Sequence, residues 1–186
     1  MLTPVIALAI AFAGAIGAAA ALAARDVSGV YSTRDGSVAI LQDDDELWLA
    51  YQASWGATAH TCACLSRAKR QSDGSWQMTG DLTGTITMPH GKLQIDAADM
   101  PECCGANWNK VGPIKQKPSP VMSCSVTADK LPFQDRDGNT TKTFVISGDH
   151  VDAVEAPGDD QRVVARFVGK RKATFGLVAI SGLACK

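Results

Sequence analysis

The sequence predicts an all-β protein of two small barrel or sandwich domains, each stapled by disulfides. Three observations carry that expectation. Beyond residue 24, helical periodicity is almost absent, and short apolar runs are broken by Gly, Asp, Asn and Pro. The six cysteines divide into two close pairs, Cys62/Cys64 and Cys103/Cys104, and a distant pair, Cys124 and Cys185, that brackets the last third of the chain. Between the two groups runs Gly112-Pro113-Ile114-Lys115-Gln116-Lys117-Pro118-Ser119-Pro120, whose three prolines disfavour helix and central strand and favour an extended spacer. The expected organisation is a signal peptide over 1–24, an N-terminal β domain over 25–112 with the cysteine cluster, a proline-rich linker over 113–120 and a second β domain over 121–186. A long loop inside one domain is the alternative reading of the proline-rich run.

From Val5 to Ala24 no residue is charged, and the run ends in Ala21-Leu22-Ala23-Ala24 before Arg25. Small residues at the −3 and −1 positions fit cleavage after Ala23, with Ala24 the less regular choice. An uncleaved anchor is the competing reading, because about 20 apolar residues suffice to span a bilayer. The Ala/Gly-rich composition favours cleavage, and no later apolar run is long enough to span. The cysteines are therefore expected to meet an oxidising periplasmic or extracellular space. About 160 residues remain after cleavage, enough for one ordinary domain or two small ones that need help from cross-links.

In the first half the expected strands are 29–32, 37–41, 47–54, 60–67, 76–79, 84–88 and 92–96. Asp35-Gly36, Asp73-Gly74 and His90-Gly91 supply turn residues between them. Leu47, Leu49 and Tyr51 form one apolar face, and Trp48 falls on the other, covered by a loop or exposed. In the second half the expected strands are 122–127, 141–147, 151–155, 162–167 and 174–179, with turns at Asp137-Gly138-Asn139, Gly148-Asp149 and Pro157-Gly158-Asp159-Asp160. The net charge of −1 gives no basis for binding nucleic acid. The basic stretch 67–70 reads as a solvated strand end and the acidic stretch 43–46 as a turn tip; an acidic loop meeting a basic partner is the sharper alternative.

Two stretches of the second half carry a resemblance: Phe133-Gln134-Asp135-Arg136-Asp137-Gly138 with Thr143 to Val151, and Val163 to Gly169 with Phe175-Gly176-Leu177-Val178-Ala179-Ile180-Ser181-Gly182-Leu183. Over about 122–186 the chain resembles bacterial SH3-like domains. In that family the last segment often reads Gly-Trp-Ile, several residues, then Leu. Gly176 and Leu183 match, and Leu177 stands at the Trp position. The resemblance implies a small barrel whose first and last strands lie side by side, which would bring Cys124 and Cys185 together. Closing a loop of that length restricts the unfolded chain by ~4 kcal/mol in the entropy model. The resemblance also implies a non-catalytic module that binds cell-wall peptides or docks proteins. Of its aromatic residues Phe133, Phe144, Phe167 and Phe175, most are expected in the core.

Cys62 and Cys64, two apart on an expected strand, point to one face. Vicinal Cys103 and Cys104 pair awkwardly with each other, so bridges between the two pairs are expected, and the connectivity stays open. The same four cysteines with His60 also offer soft ligands for Zn or Cu(I), a reading that ranks behind disulfides in an oxidising space. The arrangement Gly-x-Tyr, a strand pair, His-x-Cys-x-Cys, a Gly-Ser-Trp hairpin and Cys-Gly-Ala, over about 27–110, weakly resembles small exported β-proteins that inhibit lysozyme or give immunity to cell-wall enzymes.

No nucleophile–base–orienter set stands out, so the chain is expected not to be an enzyme, and no cofactor or metal is expected. The weighed catalytic candidates are Cys62 or Cys64 beside His60, His150 beside Asp149 in a serine triad, and the acids Asp96, Asp99 and Glu102. The expected function is a non-catalytic binding protein of the bacterial envelope that inhibits or docks a lytic enzyme or toxin. The alternatives are a peptidoglycan-binding module, a cell-wall hydrolase or a metal-binding protein. Trp55, Trp76 and Trp108 are the expected anchors of a binding surface, with core packing the competing role for each.

Overall fold

The computed structural model describes residues 26–56, 60–98, 103–104, 110–114, 117–170 and 172–186, with the side chains of Trp55 and Lys110 left aside. The expected signal peptide lies outside the described residues. Among those described, no helix is long and apolar enough to cross a membrane. The described residues are all-β and form two sheets.

The first sheet is an antiparallel meander of β1 (Gly29–Ser32), β2 (Gly36–Asp43), β3 (Glu46–Trp55), β4 (His60–Arg70), β5 (Trp76–Gly80), β6 (Gly84–Thr87), β7 (Leu93–Ala97) and β8 (Lys110–Ile114), each paired with the next. Tight turns set this order. Asp44 holds the β2–β3 turn at φ +45°, a conformation Asp tolerates, and Asp43 pairs opposite Glu46. At the start of β2, Gly36 lies so close to the Gln52 carbonyl and Ala53 that a Cβ would clash with backbone. After β8 the chain returns to β1: the Val30 and Ser119 amides each donate to the other's carbonyl at 2.9 Å. The sheet is thus a nearly closed barrel, and its interior is packed with side chains including Val38, Ile40, Leu49, Met78, Ile86 and Ile95.

The proline-rich segment is therefore more than a spacer. Pro113 and Ile114 belong to β8, Ile114 is buried, and Ser119 bridges to β1. A cis Gly112–Pro113 peptide lies within β8, at the edge where Pro costs no interior ladder bond.

The second sheet contains β9 (Met122–Val126), β10 (Lys130–Gln134), β11 (Thr140–Ile146), β12 (His150–Ala156), β13 (Asp159–Val168), β14 (Ala173–Ala179) and β15 (Leu183–Cys185) in the order β11-β10-β14-β13-β12-β9-β15. A short 3-10 turn, Ile180–Gly182, leads into the last strand. First and last strands are neighbours, with Cys185 directly opposite Cys124. Phe133 is buried in this core and Phe167 and Phe175 are partly buried, whereas Phe144 is half exposed on the edge strand β11.

The two sheets meet along β2 and β3. Val38 to Gln42 and Leu47 to Tyr51 are buried without interruption, so both faces of this hairpin are covered. The inward residues fill the first core. The outward ones, Ala39, Leu41, Trp48 and Ala50, join Val154, Ala156, Val164 and Leu177 of the second sheet in a third apolar cluster. A strand buried on both sides reads as a continuous apolar run instead of an alternating one. The cover over Trp48 is thus the second sheet and not a loop.

Candidate functional site

Polar contacts fix the seam around its apolar centre. Arg166 on β13 donates from Nε and Nη2 to Asp152 Oδ2 at 3.2 and 2.7 Å, and from Nη1 to Ser28 Oγ at 3.2 Å and to the Gln42 carbonyl. Gln42 is itself buried. Its side-chain carbonyl accepts from the Val27 amide at 3.0 Å, and its own amide donates to Ser28 Oγ at 2.9 Å. At the turn ends, the Ala173 amide donates to Asp43 at 3.2 Å and Arg136 pairs with Asp81. Trp48 stacks on Phe175 with 6.2 Å between ring centroids, and the Arg67 guanidinium lies 4.3 Å from the Trp48 ring centroid.

The seam is incomplete at one end. On β3 the continuous burial stops at Gln52, which is exposed, and a slot of about 180 Å³ opens there between the sheets. Ala39, Ala50, Ala153 and Val154 line its depth, and Pro120 and Pro157 stand at its lips. The small outward residues Ala39 and Ala50 of the first sheet leave this space, where larger ones nearby, such as Leu41, Trp48 and Leu177, fill it. Gln52 and Glu155 also line a second, wider and open cleft of about 650 Å³, bordered by Asp159, Asp160, Arg162 and Ile180. Arg162 donates from Nε to Asp159 Oδ2 at 2.5 Å, and this bond, with amides of the same turn, holds the Asp159 carboxyl below the ordinary carboxylate range. One acid and one base thus neutralise each other, and Glu155 and Asp160 leave the mouth acidic.

The cysteines are all accounted for. Cys62 bridges Cys104, Cys64 bridges Cys103, and Cys124 bridges Cys185. The first two bridges tie β4 to the β7–β8 connection, helped by an Ala63 amide to Cys103 carbonyl bond of 3.1 Å. The sulfurs of Cys62, Cys64 and Cys104 lie within 4.8 Å of one another, a spacing suited to a soft metal, and each is held in a disulfide. Three disulfides fit an oxidising extracellular or periplasmic setting.

No protein-family model, curated protein or solved structure matches this chain.

Of the expected aromatic anchors, Trp76 is buried in the first core at 3% exposure, with Arg70 over its ring, and offers no surface to a partner. Its strand needs that apolar anchor to close on Ile86. The Trp55 side chain and Trp108 lie outside the described residues. Among the catalytic candidates, Cys62 and Cys64 are bridged and cannot act as nucleophiles. His150 Nδ1 lies 3.2 Å from Ser125 Oγ on the neighbouring strand, exposed and away from the seam cleft, while Asp149 accepts from the Ile146 amide at 2.9 Å. Asp96 accepts from Gln94 at 2.7 Å; Asp99 and Glu102 lie outside the described residues.

The groove residues were missed by sequence reasoning. A usable signal existed: the unbroken apolar runs 38–41 and 47–51 demand a second covering layer, and the return to alternation at Gln52 marks where that cover ends.

Proposed function

We propose that this chain is a non-catalytic, exported binding protein of the bacterial envelope, periplasmic or secreted, which docks or inhibits a cell-wall-active enzyme or toxin. The observation that carries the reading is the preformed groove at the seam of two sheets. Its shape is set by β-strands and prolines, and a rigid groove binds a partner without first ordering itself. The three disulfides support export. Their use of every sulfur supports binding over thiol chemistry. The exposed Ser125–His150 pair has no orienting carboxylate among the described residues, which supports the same choice.

We read the second sheet as an SH3-like barrel. The adjacency of β9 and β15, joined by Cys124–Cys185, supports that reading. Leu177, at the family's Trp position, is buried against the first sheet. A smaller apolar residue suits a face covered by its own chain, so partner recognition would shift from an aromatic surface to the seam.

The test is affinity capture from envelope extract with the disulfide-intact protein, beside a pull-down with purified murein sacculi. A saturable protein partner, and protection of substrate from a lysozyme-like or amidase enzyme, are the expected results. Retention by sacculi with no protein partner would make it a wall-binding module, and turnover lost on changing His150 would make it an enzyme.

A further inference from the structure

We propose that the seam groove takes an extended peptide segment in which an apolar residue is followed by lysine or arginine; this names the partner chemistry for the binding role above and rests on it. Two adjoining concavities that share Gln52 and Glu155 are complementary to such a segment. The inner one is narrow, about 180 Å³, with Ala39, Ala50 and Val154 in its buried lining, room for one sizeable side chain. Gln52 and Glu155 line both, so a ligand seated in the slot lies beside the second concavity at this pair. Beyond them the cleft presents Glu155 and Asp160, both exposed, while Arg162, the basic residue of that lining, is engaged by Asp159 at 2.5 Å and by Gln134 Oε1 at 3.3 Å. The charge left facing the ligand is therefore negative.

An isolated cation would gain little from two exposed carboxylates in water. An isolated apolar group would bury little area in so small a slot. A chain carrying both groups in sequence satisfies both parts of the cleft at once. Lysine or arginine suits the second position, because a long aliphatic stem can lie against the exposed Ile180 while its charged head reaches the acids. An acidic peptide would be repelled at the mouth, and a wholly apolar one would leave the carboxylates without a counter-charge.

The probe is a fluorescein-labelled peptide of about eight residues that alternates leucine and lysine, an extended design suited to a groove between sheets, against its leucine–glutamate counterpart. The lysine peptide is expected to bind and the glutamate peptide not to. Amide shifts on addition should be confined to Ala50, Gln52, Ala153, Val154 and their neighbours. Glu155→Lys with Asp160→Lys should weaken binding by about tenfold or more, and Gln52→Trp, which blocks the passage, should do the same. The same charge change made away from the groove, Asp45→Lys with Asp129→Lys, should shift affinity by no more than about twofold. Equal weakening by both double variants, or shifts spread away from the seam, would overturn the groove assignment. A natural partner captured from extract whose affinity ignores Glu155→Lys with Asp160→Lys would sink this inference and leave the binding role standing. Peptide binding at the seam with no captured partner would do the reverse.

Discussion

In the first half of the molecule each of β1 to β7 pairs with the next strand in sequence, whereas in the second the spatial order is β11-β10-β14-β13-β12-β9-β15. The cross-links differ in the same sense. Two bridges in the first half join β4 to the β7–β8 connection, while one in the second joins the first strand to the last. A meander is held in register by its own turns, and a long-range closure needs something to hold the two distant strands together. The halves also differ in how they use the seam. The first lends a hairpin buried on both faces, and the second lends one face of β12, β13 and β14. Stability at the seam should therefore be felt by both halves, and stability at either staple mainly by one.

The largest expected effect is at Trp48. Trp48→Ala should cost about 3–5 kcal/mol and split thermal unfolding into two steps, because the stacked Phe175 and the apolar cluster lose their centre. Urea and calorimetric unfolding read this out, and a loss below about 1 kcal/mol would mean that the seam does not couple the halves. Next, replacing Cys124 and Cys185 together by Ser should cost about 2–4 kcal/mol, felt first in the second half. Near-ultraviolet signals cannot assign the loss, so hydrogen exchange by strand is the measurement. If exchange through local opening rises in β1 to β8 as much as in β9 and β15, the contrast between the halves fails.

Arg166→Met should cost about 1.5–3 kcal/mol, since it strips charged hydrogen bonds from Asp152, Ser28 and the Gln42 carbonyl at a largely covered position. The smallest effect is at the groove mouth. Asp159 has a folded-state pKa below its unfolded value, so its stabilising contribution is present above the ordinary carboxylate range and is lost as pH falls through the folded value. Arg162→Met should move the Asp159 carboxyl titration upward, as followed by carbon-detected NMR. An unmoved midpoint would show that the turn amides alone set it.

Legibility in the sequence followed the same division. The strands of the meander up to β7 were readable because Asp and Gly turns punctuate alternating runs, and β1 was placed at its observed bounds, Gly29–Ser32. β8 was hidden by Pro113, which reads as a spacer residue until the edge position is known. β10 is interrupted by Pro132 and a bulge, which break the strand signal, and β15 has three residues, too few for a period to be read. Cysteine spacing pointed to cross-pairs in the first cluster but could not choose between them; the Cys62–Cys104 backbone bridge does. The site was least legible. Aromatic side chains were the expected marker of a binding surface, and Trp76 proved to be core. The groove is made instead by small residues, Ala39 and Ala50, which carry no compositional signal and matter only where two sheets face each other.

Through the doubly buried β2–β3 hairpin the two sheets form one body. Differential scanning calorimetry of the disulfide-intact protein tests this directly. The expected result is a single transition whose calorimetric and van't Hoff enthalpies agree, as for one cooperative unit. Two resolved transitions, each matching one sheet, would contradict it and leave the seam groove without the rigid walls on which its binding role depends.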